Sequence, residues 1–214
     1  MIFATRAEAG RMLADRIAAE RYEHPVVLAL PRGGVPVAVP VAQRLNCPLD
    51  LVFVRKIGVP RQPELAAAAV VNGDSPELVV NEDIVAMAGV SREFIEQEEQ
   101  RQLKEISRRR TVYLQGRRTV PLAGRTAILV DDGLATGASM RAAVHAVARK
   151  RPLAVIVAVP VAPLDTVKAL RREANDVIVL DMPDPFLAIG CHYGDFHQLE
   201  DHEIVEALAD PSLG

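Results

Sequence analysis

The sequence predicts an α/β protein built on a parallel, doubly wound sheet, and three observations predict it. From residue 126 onward, strand-like runs at 126–130, 155–161 and 177–180 alternate with helix-like stretches at 139–149 and 164–173. These runs are apolar throughout rather than at every second position, as strands covered on both faces must be. The chain has 214 residues, half of them hydrophobic, which suits one domain over 1–214 with a full core.

The elements follow in order. Residues 6–20 place Ala7, Met12, Leu13, Ile17 and Ala18 on one stripe, a helix with Asp15 and Arg16 outside. Residues 26–30 form a continuous apolar run between Pro25 and Pro31, a buried strand. Helical spacing returns at 35–45, and 51–54 is a second apolar strand. Prolines and glycines frame 55–76, which reads as a mobile loop leading into a short strand or hairpin at 65–71. Asn81 and Ser91 suit helix N-caps. The segment 91–112 has acids early and bases late, an order the helix macrodipole favours, and reads as a solvated helical face. Residues 183–198 form a loop rich in Pro, Gly and aromatics, and 201–208 a closing helix.

Composition excludes several functions. Lys and Arg number 25 against 28 Asp and Glu, a net charge of −3, so no general field draws in nucleic acid or an anionic membrane. Five Phe, three Tyr and no Trp leave little for a base-stacking platform. Cys47 and Cys191 stand far apart without CxxC spacing, and Cys191, His192, His197 and His202 match no zinc pattern. No apolar run approaches membrane-spanning length, and the first residues lack the order of a signal peptide, so the expected setting is the cytoplasm.

The most informative stretch runs from Ala127 to Met140, AILVDDGLATGASM. An apolar strand ends in Asp131 and Asp132, a loop with Gly133 and Gly137 follows, and a helix opens at Ser139. Ligands of open α/β sheets sit at the carboxyl ends of strands. A small-residue loop at a helix N-terminus exposes N–H groups to an anion such as phosphate, and Thr136 and Ser139 add hydroxyls. Two carboxylates repel phosphate but accept hydrogen bonds from sugar hydroxyls. The loop suits a ribose 5-phosphate.

This segment resembles the phosphoribosyl-pyrophosphate (PRPP) motif of type I phosphoribosyltransferases, and its Leu134-Ala-Thr-Gly137 wording is similar to adenine phosphoribosyltransferases. Val27 to Val35, VLALPRGGV, resembles the family's pyrophosphate loop, with Arg32, Gly33 and Gly34 at the turn. Val54 to Pro60, VRKIGVP, resembles the segment after the second strand in adenine-type enzymes, including its Arg-Lys pair. The resemblance covers about 6–71 and 126–197; it leaves 81–112 as a helical insertion outside the family core. It implies a type I phosphoribosyltransferase-like core with a small C-terminal hood at 183–200.

The resemblance also implies roles. PRPP exchanges its pyrophosphate for a nucleobase-like acceptor, with Mg²⁺ on the pyrophosphate and ribose oxygens. Asp131 and Asp132 would hold the ribose hydroxyls directly or through metal and water, with Asp195 as a further metal-side acid. Gly133, Ala135, Thr136, Gly137, Ala138 and Ser139 would hold the 5-phosphate. The Arg32–Gly34 amides with Arg55 and Lys56 would stabilise departing pyrophosphate, and the loop over 60–68 would close over the reactants. Ala135 stands where 6-oxopurine enzymes carry an acid, which counts against that acceptor class. Glu64 is the nearest general-base candidate, and Phe186 the ring expected on the base. Relatives often form homodimers. A second reading stays open at this level, a non-catalytic PRPP- or nucleotide-sensing regulator on the same fold.

Overall fold

A computed structural model gives the architecture, and it describes residues 1–72, 76–117, 119–210 and 213. Five parallel strands form the main sheet: β1 (Pro25–Ala29), β2 (Leu49–Leu51), β6 (Thr126–Val130), β7 (Ala154–Val161) and β8 (Asp176–Asp181), in the order β2-β1-β6-β7-β8. Central β6 is buried at every position, which is why its sequence shows no alternation.

Helices cover both faces. On one side α1 (Arg6–Ala18) packs on α2 (Gly34–Leu45), burying Leu13, Ile17, Val37 and Val41 against Val27 and Ile128. On the other, α5 (Ala138–Arg149) buries Met140, Val144 and Val147 in a cluster with Leu129 and Val157. Each such aliphatic side chain contributes about 1.5–3 kcal/mol on full burial. The order inside each crossover, strand then helix then adjacent strand, puts every β-to-α turn on one edge of the sheet.

The segment 55–76 departs from the expected loop. It forms a second, antiparallel sheet, β3 (Phe53–Val59), β4 (Gln62–Asn72) and β5 (Pro76–Val80), with β4 central. The 51–54 run is likewise divided: Leu51 ends β2 in the first sheet and Phe53 begins β3 in the second. Pro60 sits at the hairpin turn and Pro76 at a strand start, where a missing N–H is tolerated. Alternation then gives this sheet two faces. Phe53, Ile57 and Val70 belong to the cluster that includes Ile95, Ile106 and Tyr113 of α4 (Arg92–Leu114); Val54, Ala69 and Val71 pack with Ala146 and Val147 of α5.

Helix α4 follows α3 (Glu82–Ala88), and both begin as expected: Asn81 accepts from the Ile84 N–H at 3.3 Å and Ser91 from the Phe94 N–H at 3.2 Å. The helix is not wholly solvated. Ile95, Gln102, Ile106, Tyr113 and Leu114 are buried, and it also packs on α7 (Asp201–Leu208). A shorter helix, α6 (Leu164–Leu170), links β7 to β8. Among the described residues, no helix is long and apolar enough to cross a membrane.

Candidate active site at the carboxyl edge of the sheet

Two turns meet at this edge. After β1 the chain runs through Pro31, Arg32, Gly33 and Gly34, with a cis peptide between Pro31 and Arg32. After β6 it runs from Asp131 to the start of α5. The Leu30 N–H donates to the Val130 carbonyl at 2.9 Å, which seats one turn against the other. A Cβ on Gly33 would lie 2.2 Å from Asp132 Oδ2, so any side chain there would displace the carboxylate.

The second turn is held from below. Leu134 N–H donates to the Val161 carbonyl at 2.9 Å, and Thr166 Oγ1 of α6 donates to the Ala135 carbonyl at 2.7 Å. Gly137 caps α5 at φ +72°, and a Cβ there would stand 2.7 Å from Thr166 Cγ2, so the turn requires glycine twice over. Ala135, Thr136, Ala138 and Ser139 are exposed around the helix N-terminus, where free N–H groups favour an anion.

The two acids differ. Asp132 is buried and paired with Arg6, whose Nε donates to Oδ2 at 2.8 Å. Phe196 covers the Arg6 guanidinium at 3.9 Å from ring centroid to Cζ, Arg6 also donates to the His197 carbonyl at 3.2 Å, and the Tyr193 hydroxyl donates to the Asp132 carbonyl. The segment 193–197 thus roofs this pair. Burial raises the Asp132 pKa while Arg6 opposes it. Asp131 is raised well above the usual carboxylate range, by burial first and then by the charge of Asp132.

Arg55 and Lys56 part company. Successive side chains on a strand point to opposite faces, so Arg55 and Lys56, both expected at the pyrophosphate, leave the hairpin on different sides. Lys56 lines a cleft of about 520 Å³ between the second sheet and α5, together with Ala138, Ser139, Arg141 and His145. Arg55 faces α4, and its Nε donates to Gln102 Oε1 at 3.0 Å. Burial first, then Arg109, lowers the Arg55 pKa, with Arg101 and Arg32 adding to it, while Lys56 lines the cleft with Ser139. Arg32 Nη1 stands 3.8 Å from Asp201 Oδ1.

Of the remaining candidates, Asp195 accepts from the His197 N–H at 3.1 Å and pairs with His197 Nδ1 at 2.8 Å. Phe186 is partly buried and stacks on His192 with centroids 5.8 Å apart. Glu64 belongs to β4, and its side chain lies outside the described residues. Sequence reasoning missed Arg6, Gln102 and Asp201. Two carried a signal: a cation opening a helix against the dipole preference, and an amide on the buried stripe between Ile95 and Ile106.

Comparison with known proteins agrees with this geometry. Residues 4–189 match the family described as the phosphoribosyl transferase domain. Two curated Mycobacterium tuberculosis proteins, Rv0571c of strain H37Rv and MT0597 of strain CDC 1551, are each 42% identical over 207 residues, 97% of this chain. Both carry the name phosphoribosyl transferase provisionally, and the chain spans 46% of their length. The crystal structure of TT1426 from Thermus thermophilus is 42% identical with a TM-score of 0.84, covering 97% of this chain and 98% of that one.

Proposed function

This chain belongs to the phosphoribosyl transferase domain family, and from that premise we propose that it transfers the phosphoribosyl group of PRPP to a nucleobase-like acceptor. The observation that supports this most is the meeting of the Gly33 turn, the acid pair and the phosphate-ready start of α5 at one edge.

In the reaction the bond from the anomeric carbon to pyrophosphate breaks, a bond from that carbon to an acceptor nitrogen forms, and the nitrogen's proton goes to a base. The chain's work is positioning and charge stabilisation around an oxocarbenium-like carbon. Thr136, Gly137, Ala138 and Ser139 hold the 5-phosphate at the helix N-terminus, and Lys56 adds a cation from the cleft wall. Asp131 accepts from the ribose hydroxyls; Asp132, paired with Arg6, buttresses it. The amides of Arg32 and Gly33 would meet the leaving group with Arg55, whereas the Gly34 N–H, also expected there, already donates to the Leu30 carbonyl at 3.0 Å. Glu64 is the base proposed for the acceptor's proton.

Among the described residues, no group of three or more His, Cys, Asp and Glu could hold a metal ion. A Mg²⁺ ion would be held by Asp131 and Asp132 only together with the oxygens of its substrate, since Asp132 is paired with Arg6 and Asp195 with His197. When bound, Mg²⁺ neutralises charge on the leaving pyrophosphate.

The test is Mg²⁺-PRPP offered with a panel of nucleobases and amines, reading pyrophosphate release and product mass. Turnover with one acceptor supports the proposal. Tight PRPP binding without turnover favours a sensor, and absence of PRPP binding overturns both.

A further inference from the structure

Resting on that reading, we infer that the inserted helix α4 is a second wall of the leaving-group site, and that its Gln102 positions Arg55 toward a diphosphate.

The first support is where Gln102 lies. It is 5% exposed on the stripe formed by Ile95, Ile106 and Tyr113, a place where packing favours an apolar side chain. Burying an amide costs free energy unless it is hydrogen-bonded, and its oxygen accepts from Arg55 Nε at 3.0 Å. Among the described residues no hydrogen bond is made by either Nη group of Arg55, and these are the prongs suited to bidentate contact with phosphate oxygens.

The second support is charge. The acids nearest along α4 have other partners than Arg55: Glu98 pairs with Arg101 at 2.7 Å and also meets the Gln102 side chain, and Glu105 pairs with Arg109 at 2.7 Å and Arg108 at 3.0 Å. The hydrogen-bond partner of Arg55 is a neutral amide. Burial, then Arg109, with Arg101 and Arg32 adding to it, lowers the Arg55 pKa, and only Glu105 opposes this. Arg101, Arg109 and Arg32 each have a carboxylate partner, whereas the partner of half-buried Arg55 is the Gln102 amide, so an added polyanion would relieve the Arg55 charge most. A structural ion pair would place a glutamate at 102; glutamine holds the geometry and keeps the charge.

The third support is that α4 reaches the other cation as well. Asp201 stands 3.8 Å from Arg32 Nη1, and Arg108 and Tyr113 of α4 both bond to Asp201. One inserted helix therefore braces Arg55 through Gln102 and Arg32 through Asp201.

Titration calorimetry with inorganic pyrophosphate, and separately with ribose 5-phosphate, tests the inference. Gln102→Glu neutralises Arg55 and should weaken pyrophosphate at least tenfold, reduce the salt dependence of its binding, and leave ribose 5-phosphate within twofold. Gln102→Leu should weaken pyrophosphate several-fold, and its effect should vanish in an Arg55→Ala background because it acts through Arg55. Thermal melts confirm that each variant folds; should Gln102→Glu fail to fold, the Gln102→Leu cycle decides. Unchanged pyrophosphate affinity, additive losses in the cycle, or equal losses for both ligands would overturn it. PRPP binding and turnover by the unaltered protein judge the wider functional reading separately: if those stand while Gln102 variants behave as wild type, this inference alone fails.

Discussion

Arg6 opens α1 although a cation at a helix N-terminus opposes the macrodipole. Its compensation is Asp132, reached under the Phe196 ring with both partners about one-tenth exposed. Removing one member of such a pair strands the other, so Arg6→Ala should cost about 3 kcal/mol of stability, read by denaturant unfolding. The neighbouring acid predicts the opposite sign. The Asp131 pKa is raised in the folded state, so the native protein binds more protons than the unfolded chain above the ordinary carboxylate pKa. Stability is therefore lost as pH rises from that value through the folded pKa. Asp131→Asn should raise the ligand-free melting temperature at pH 7, remove that part of the pH dependence, and weaken PRPP binding. A variant no more stable than wild type would contradict the assigned cause. The acid pair was legible in sequence because it ends an apolar strand before a glycine loop; Arg6 was not, since its partner is distant along the chain.

Elements read as well as their periodicity allowed. The parallel strands and α5 were plain from continuous apolar runs and a clean 3.6-residue pattern. A short strand or hairpin was legible at 65–71, but the full extent of β3 and β4 was hidden by the prolines and by the alanines at 66–69, residues of low strand propensity whose pairing is decided by the two helices they meet. Helix α4 was legible as a helix but not as a packed one, because five acids and six bases obscure a narrow buried stripe. At α7 a different feature predicts behaviour. His197 bridges Asp195 and Glu203 at 2.8 Å on each side, with Glu200 and His202 beside them, and these carboxylates raise its pKa. A raised histidine pKa contributes stability below the unfolded value and loses it as pH rises through the folded one. Amide exchange in α7, corrected for intrinsic rates, should be more protected at pH 6 than at pH 8.5, and His197→Asn should flatten the difference. Equal protection at both pH values in the unaltered protein would refute this.

At the scale of the whole molecule, the site is a seam. The main sheet supplies both turns, the second sheet supplies Lys56 and Arg55 from its two faces, and the 193–197 segment roofs the acids. The sequence showed the first of these parts because its residues are contiguous; the seam itself is made by tertiary packing and has no local signature. A ligand spanning the seam binds the folded state only, so it must stabilise the fold by mass action. At Mg²⁺-PRPP about 100 times its Kd the gain is about 2.7 kcal/mol. For a domain of this size each kcal/mol raises the melting temperature by about 2–4 °C, giving a shift of about 5–10 °C. Changing Asp131 and Asp132 together to Asn should abolish the shift without unfolding the protein, and Gln102→Glu should shrink it by weakening only the diphosphate end. Should saturating Mg²⁺-PRPP leave the melt of the unaltered protein in place, the seam does not bind PRPP and the proposed transfer fails with it.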